Sequence, residues 1–314
     1  MKILVTGGAG FIGSAVARSL IDSGHDVTVV DNFNDYYEVS LKHDRVKEFL
    51  NGAKVIEADI RDRDKIGELF EQNRFDVVCN LAAMAGVRYS VEHPDIYVDV
   101  NINGLVNILE AMREHGCLRM VSASSSSVYG NSSDSPYKEN MVADRPESVY
   151  GATKRAGELL LYSYFTLYGI QATSFRFFTV YGPWSRPDMA MLKFAKRISK
   201  GETIDVYNNG KLRRDFTYID DIVSGFVLAV EKPVGYEVVN LGRGEPVELM
   251  DYIKKLEENL GLKAKMNLLP MQPGDVYETF ADTTKAQELF GYEPTVRVDE
   301  GIERFVEWYR YYYS

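Results

Sequence analysis

Four of the seven residues from position 7 to 13 are glycine, and they follow Lys2–Thr6, a run apolar enough for a strand buried on both faces. An apolar-periodic stretch, 12–23, comes next and reads as a helix. Strand, glycine turn and helix in that order point to one arrangement above others. Gly10 and Gly13 have no side chain, so backbone amides can approach a pyrophosphate and the helix can pack on the strand. The helix N-terminus then offers free N–H groups and partial positive charge. Glycines 8, 10 and 13 fit G-x-G-x-x-G, and glycines 7, 10 and 13 fit G-x-x-G-x-x-G. The competing reading is a glycine-rich turn without a ligand. Asp31 argues against it: it ends the next strand, 26–30, where a carboxylate accepts hydrogen bonds from a ribose diol. That carboxylate repels a 2′-phosphate and no arginine follows it immediately, so the expected cofactor is NAD rather than NADP.

The rhythm continues. Strands are predicted at Lys54–Glu57, 76–81, 119–122 and 172–177, with helices at 64–73, 98–115 and 150–168. The class is α/β, a Rossmann-like doubly wound parallel sheet. The second half is less regular, with a loop over 180–188, helices at 191–200, 247–260 and 300–312, and a strand at 237–241. It reads as a smaller, mixed α/β C-terminal substrate domain. The division expected is 1–177 plus a return segment near 214–242 for the NAD-binding domain, and 178–213 with 243–314 for the substrate domain. No linker separates them, so a shared cleft is expected. The aromatic tail at 308–313 reads as packing with a frayed end.

Composition excludes other classes. Lys+Arg is 36 and Asp+Glu 46, a net charge of −10, which opposes nucleic-acid binding. The two cysteines, Cys79 and Cys117, form no CxxC, so neither a disulfide framework nor a metal site is expected, and the setting reads as cytoplasmic. The glycines interrupt the apolar N-terminus, so neither a signal peptide nor a membrane span is expected.

Tyr150 and Lys154 open the helix at 150–168 and, at i and i+4, share one face. An ammonium near a phenol favours the phenolate, so the lysine is expected to lower the tyrosine pKa and make it a general base. On a solvated helix face the same spacing would mean nothing; after a dinucleotide fingerprint it suggests alcohol oxidation. The serines at 124–127 follow the strand at 119–122, at the sheet end where ligands bind. They can bridge a substrate oxygen to Tyr150, or form a polar turn.

These residues carry a resemblance. Thr6-Gly7-Gly8-Ala9-Gly10-Phe11-Ile12-Gly13, Asp59-Ile60-Arg61-Asp62, Leu81-Ala82-Ala83, Asn101, Ser124-Ser125 before Val128-Tyr129-Gly130, and Tyr150-x-x-x-Lys154 resemble the extended short-chain dehydrogenases/reductases, in the nucleotide-sugar epimerase and dehydratase group. The resemblance spans the whole chain. It implies Tyr150, Lys154 and Ser125 as catalytic residues. It implies cofactor contacts at Gly7, Gly10, Phe11, Ile12, Gly13, Asp31, Asn32, Asp59, Ile60, Leu81, Ala82, Ala83, Asn101, Tyr150, Lys154 and Phe177. The chain departs from the group at Asn80, often histidine in relatives, and at Gln272, usually arginine in galactose epimerases.

Ser126 and Ser127 stand where dehydratases carry Asp-Glu, which excludes a 4,6-dehydratase. Three stretches resemble the UDP-glucuronate 4-epimerases: 31–37, 85–90 and 176–189. Substrate contacts implied are Arg88, Ser126, Ser127, Thr179, Arg186, Asp188, Met189, Val206, Tyr207, Arg214, Gln272 and Asp275. A sugar carboxylate needs a guanidinium or hydroxyls. Arg186 is the candidate, with Thr179, Ser126 and Ser127; a loop arginine tied to Asp188 is the alternative. The function implied is 4-epimerisation of UDP-glucuronate to UDP-galacturonate through a 4-keto sugar. Rivals are UDP-glucuronate decarboxylase, UDP-glucose 4-epimerase and a non-catalytic NAD-binding sensor or scaffold. A homodimer through the helices at 98–115 and 150–168 is implied, with Leu159, Leu160, Leu161 and Phe165 exceeding one core-facing stripe.

Overall fold

The structure is a computed structural model that describes residues 1–132, 134–271 and 277–313. The first half alternates β1 (Lys2–Thr6), α1 (Phe11–Asp22), β2 (Asp26–Asp31), α2 (Val39–Phe49), β3 (Lys54–Glu57), α3 (Arg63–Gln72) and β4 (Val77–Asn80). It continues through α4 (Val87–Glu92), α5 (Pro94–Val98), α6 (Gly104–His115), β5 (Arg119–Ser125), α7 (Val149–Tyr168) and β6 (Gln171–Phe177). The second half runs β7 (Thr179–Tyr181), α8 (Ala190–Ser199), β8 (Thr203–Val206), β9 (Arg213–Tyr218), α9 (Ile219–Glu231) and β10 (Tyr236–Leu241). It ends with β11 (Pro246–Glu248), α10 (Leu249–Leu260), β12 (Lys265–Leu268), β13 (Glu278–Thr279), α11 (Thr284–Phe290) and α12 (Val298–Tyr313).

Seven parallel strands form the main sheet in the order β10-β6-β5-β4-β1-β2-β3. β1 explains its own central place: Ile3 and Val5 pack into one apolar cluster and Leu4 into another on the opposite face, so both faces must be covered. The strand order reverses at β1, with β2 on one side and β4 on the other. Crevices in such sheets open at the carboxyl ends of the strands there. β9 centres a second sheet, antiparallel to β11 and parallel to β13 and β7. The cluster under β1 runs on without a break into Tyr252, Phe305 and Trp308 of α10 and α12. Trp308 and Tyr309 are buried and Tyr312 donates to Asp44, so the aromatic tail packs as expected, leaving Tyr311 outside.

Three expected elements are corrected. The helix read over 98–115 is broken: a π-helical turn, Asp99–Asn103, separates α5 from α6. Apolar periodicity runs through that bulge and cannot report it. Ser124 and Ser125 are not in a turn after the strand; β5 continues through them, because they pair with Arg176 and Phe177 of β6. The start of the helix read over 247–260 is β11, a short partner of β9.

Candidate active site

The phosphate loop is held by close approach. Gly7 has φ +68°, and a Cβ there would lie 2.6 Å from the Ala82 backbone nitrogen. A Cβ on Gly13 would lie 2.2 Å from the Gly7 carbonyl oxygen. The Ala9 N–H donates to Asp31 Oδ2 at 3.1 Å and the Phe33 N–H to Oδ1 at 2.9 Å, so the carboxylate at the end of β2 pins the loop it faces. This wall fits a dinucleotide: side-chain-free backbone over a helix N-terminus, and an acidic acceptor one strand away. Gly7, Gly10, Phe11, Ile12, Gly13, Asp31, Asn32, Asp59, Ile60, Leu81, Ala82, Ala83, Tyr150, Lys154 and Phe177 all line one open cleft with about 320 Å³ of internal space. Asn101 does not; its amide is engaged by the Met84 backbone and by Thr153, so it acts on the cleft through the 82–86 segment.

Sequence reasoning looked for a cation directly after Asp31 and missed Lys42. It arrives from α2, 3.9 Å from Asp31 Oδ1 and donating to the Asn34 carbonyl at 2.8 Å, and burial lowers its pKa. At the far end, hydrogen bonds from Arg61 hold Asp59 at a pKa of about 2, with Asn32 adding another at 2.8 Å.

The opposite floor carries Tyr150, Lys154 and Ser125. Ser148 caps α7 by accepting from the Gly151 N–H at 3.0 Å. Gly151 allows that helix start to close on the serine turn, since a Cβ there would lie 2.6 Å from the Ser127 carbonyl oxygen. The result sets the Tyr150 phenol against the Ser125 hydroxyl. One expectation is overturned: in the chain itself the Tyr150 pKa is raised. Burial outweighs the Ser125 hydrogen bond and the positive charge of Arg186. Lys154 instead donates to the Ala123 carbonyl at 2.9 Å. Burial brings its pKa down to about 8, with Glu158 pulling upward.

Glu158 was missed altogether. One turn beyond Lys154, it is 1% exposed and accepts from Ser124 at 2.6 Å and from Arg176 at 2.9 and 2.8 Å. The signal was available as the i, i+4, i+8 series Tyr150, Lys154, Glu158, and as Arg176, the one charged residue of its strand.

The remaining wall comes from 182–189. Arg186 lines the cleft with Met189 and is also tied to Asp188, Nε to Oδ1 at 3.0 Å and Nη2 to Oδ2 at 2.7 Å. Cleft position and loop tie, set against each other as alternatives, are both present. Arg45, fully buried, carries this segment: it donates to the Trp184 carbonyl at 2.7 Å, the Ala9 carbonyl at 3.1 Å and the Tyr37 hydroxyl at 2.7 Å. Ser126, Ser127, Thr179 and Asp188 sit beside the cleft without lining it. Arg88 stacks on the Tyr207 ring at 4.5 Å, a contact from α4 across to the residue after Val206. Arg214 bonds the carbonyls of Arg213 and Tyr277. Gln272 and Asp275 lie outside the described residues. Among the described residues no group of three His, Cys, Asp or Glu is placed to hold a metal ion, and no helix is long and apolar enough to cross a membrane.

A family model described as the NAD dependent epimerase/dehydratase family matches residues 3–242. A probable UDP-glucuronate 4-epimerase of Rhizobium meliloti (strain 1021) is 44% identical, over 98% of this chain and 97% of its own. The solved complex of UDP-glucuronic acid 4-epimerase from Bacillus cereus with UDP-glucuronic acid and NAD superposes with a TM-score of 0.93, at 36% identity over 99% of both chains. UDP-glucose 4-epimerase from Thermotoga maritima, solved with UDP-glucose, gives 0.92 at 34% identity over 100% of both chains.

Proposed function

Because the chain belongs to the NAD dependent epimerase/dehydratase family, we propose that it is an NAD-dependent isomerase that interconverts UDP-glucuronate and UDP-galacturonate by inversion at C4. The observation that carries this is convergence: the glycine loop and Asp31, the Ser125–Tyr150–Lys154 floor, and Arg186 border one cleft. NAD, held by the glycine loop and Asp31 on the first wall, would supply a reversible acceptor for the C4 hydride. Every other task falls to the chain. Tyr150 takes the proton of the 4-hydroxyl and later returns it, and Ser125 orients that hydroxyl. A phenol whose pKa burial has raised needs added positive charge to ionise, which an oxidised nicotinamide would supply when bound.

Arg186 holds the uronate carboxylate, with Thr179, Ser126 and Ser127 as hydroxyl partners. That grip matters because the 4-keto sugar is a β-keto acid, which loses CO₂ when the bond to the carboxylate aligns with the carbonyl π system. Holding it out of alignment is an orientation effect. Asp188 occupies the Nε side of the guanidinium, which leaves the Nη1 side for the sugar.

The protein acts as a homodimer in the cytoplasm. Val91, Val98, Leu159 and Tyr162 of the packed helices α4, α5 and α7 stay exposed and supply an apolar face for a second copy. Leu161 is buried and Phe165 stacks on Tyr236, so those two belong to the chain's own packing. Both cysteines are buried thiols, as a reducing compartment keeps them. Light scattering at micromolar concentration gives a dimer mass, and a monomer mass removes that part.

A proton NMR time course with UDP-glucuronate tests the activity. UDP-galacturonate accumulating without added NAD supports it. Release of CO₂ with UDP-pentose makes the protein a decarboxylase, and turnover of UDP-glucose alone makes it a neutral-sugar epimerase. Bound NAD without turnover of any of these makes it a sensor.

A further inference from the structure

Beneath the catalytic floor lies a charged cluster that the mechanism above does not use. Glu158 Oε1 accepts from the Ser124 hydroxyl at 2.6 Å and Arg176 Nε at 2.9 Å, and Oε2 accepts from Arg176 Nη2 and Arg155 Nη1, both at 2.8 Å. Burial alone would push this carboxyl up; the Arg176 fork and the other donors outweigh it and hold it below the ordinary range. A buried ion pair is weak evidence for stability, so its reason for being there is to be sought elsewhere.

Its position supplies one. Glu158 follows Lys154 by four residues on α7, and a polar cavity of about 20 Å³, room for one water, is lined by both residues together with Asn101, Ser122, Ser124 and Thr153. Facing the Tyr150–Lys154 pair are Tyr97 from α5 and Arg186 from the 182–189 segment. Behind it are Glu158 and Arg155 on α7 itself, Arg176 from β6, and Tyr236 from β10, whose hydroxyl donates to the Glu158 carbonyl. Ser122 and Ser124 of β5 and Asn101 add a hydroxyl, a hydroxyl and an amide, while Asp99 of the same π-helical turn is paired with Arg61. Among the described residues Glu158 is the acidic side chain that lines this cavity with Lys154, and its charge favours the ammonium.

We propose that Glu158 is a positioning residue for the catalytic pair: it supplies the counter-charge that keeps Lys154 an ammonium in a dry site, and through Ser124 it fixes the end of β5 that carries Ser125. This rests on the reading of Tyr150 and Lys154 as the proton-handling pair and not on which sugar is bound. Two substitutions have opposite expected signs. Glu158→Gln removes the counter-charge and leaves Arg176 uncompensated, so Lys154 loses its proton at lower pH. Arg155→Gln removes a cation that competes for Glu158, so Lys154 keeps its proton to higher pH. A merely structural role does not reverse sign between them.

Lys154 is titrated directly by trace acetylation of the purified protein across pH, with mass spectrometry of the peptide that carries it. The pH–rate profile with UDP-glucuronate is recorded beside it. Glu158→Gln is expected to move the labelling midpoint and the alkaline limb of the rate down by about one unit, about tenfold less ammonium at a fixed pH. Arg155→Gln, on a partly exposed side chain, is expected to move both up by a smaller step. A midpoint unmoved in both variants, or a Glu158→Gln rate reduced by one factor at every pH, overturns the proposal. If Glu158→Gln does not fold, Arg155→Gln decides alone, and an unmoved midpoint overturns it. The labelling needs no sugar: a wild-type protein inert toward UDP-glucuronate sinks the proposed function and still reports on Glu158.

Discussion

The proposed cofactor wall of the cleft is built largely from backbone, and the proposed sugar wall from side chains. On the first, Gly7 and Gly13 sit where a single added carbon would meet a main-chain atom at 2.6 and 2.2 Å. On the second, Arg186 is held by Asp188, and its loop by Arg45, which reaches from α2 to the Trp184 carbonyl. Backbone geometry tolerates almost no change but says little about the ligand beyond its phosphates and diol. Side-chain geometry can be altered one group at a time, which is where a choice among sugars can be made. The near-equal superposition on a UDP-glucuronic acid 4-epimerase and a UDP-glucose 4-epimerase, 0.93 against 0.92, fits that division: the shared frame is indifferent to the sugar.

If so, variants on the two walls separate by whether NAD stays bound. The largest effect is expected at the floor that both walls share. Tyr150→Phe removes the acid–base group and keeps the ring, so turnover of UDP-glucuronate falls by about 10³ while NAD content and melting temperature are unchanged. Next is Gly13→Ala. Its Cβ meets the Gly7 carbonyl oxygen at 2.2 Å, which costs about 2 kcal/mol or more and opens the phosphate loop. The protein then purifies largely free of NAD. Full NAD occupancy in that variant would break the comparison. Arg186→Ala is the mirror case. NAD content is kept, the KM for UDP-glucuronate rises by about tenfold to a hundredfold, as loss of a charge-assisted pair implies, and UDP-pentose appears among the products. An unchanged KM with no pentose removes Arg186 from the sugar wall.

The same division explains what could be read from the residues alone. Gly7 to Gly13, Asp31 and the Tyr150–Lys154 spacing are local patterns, and local patterns survive in sequence. α2 was not read at all. Its buried face is Leu41, Lys42 and Arg45, and a helix that buries two cations has no apolar stripe to find. α9 failed for the opposite reason: eight of its residues are buried, so its pattern does not alternate. β7 and β8 are as short as β3 and β4 but lie outside the strand–helix alternation that located those two. Glu158 continues the face of Tyr150 and Lys154, but its burial becomes visible only when Arg176 arrives beside it from the next strand, 18 residues on. Residues that work through partners far along the chain were the ones missed.

The smallest expected effect sharpens the comparison at the far end of the cofactor wall, where a side chain does contribute. Hydrogen bonds from Arg61 are the first cause of the low Asp59 pKa, about 2 in place of 3.8. A carboxylate depressed in the folded state adds stability that is fully present above its unfolded pKa and is lost as pH falls through the folded one. The window here is therefore pH 4 down to 2. Two pKa units correspond to at most about 2.7 kcal/mol. Asp59 is a quarter exposed and Arg61 over a third, and solvent screening reduces the contribution to about 1 kcal/mol. Asp59→Asn is thus expected to lower the melting temperature at pH 7 by about 2 °C, with the gap narrowing below pH 4 and in high salt. NAD content is expected to stay close to wild type, because the phosphate loop and Asp31 are unchanged in that variant. A gap that is constant from pH 7 to pH 3 removes the electrostatic account of Asp59. A large loss of NAD makes the cofactor wall depend on side chains as much as the sugar wall does.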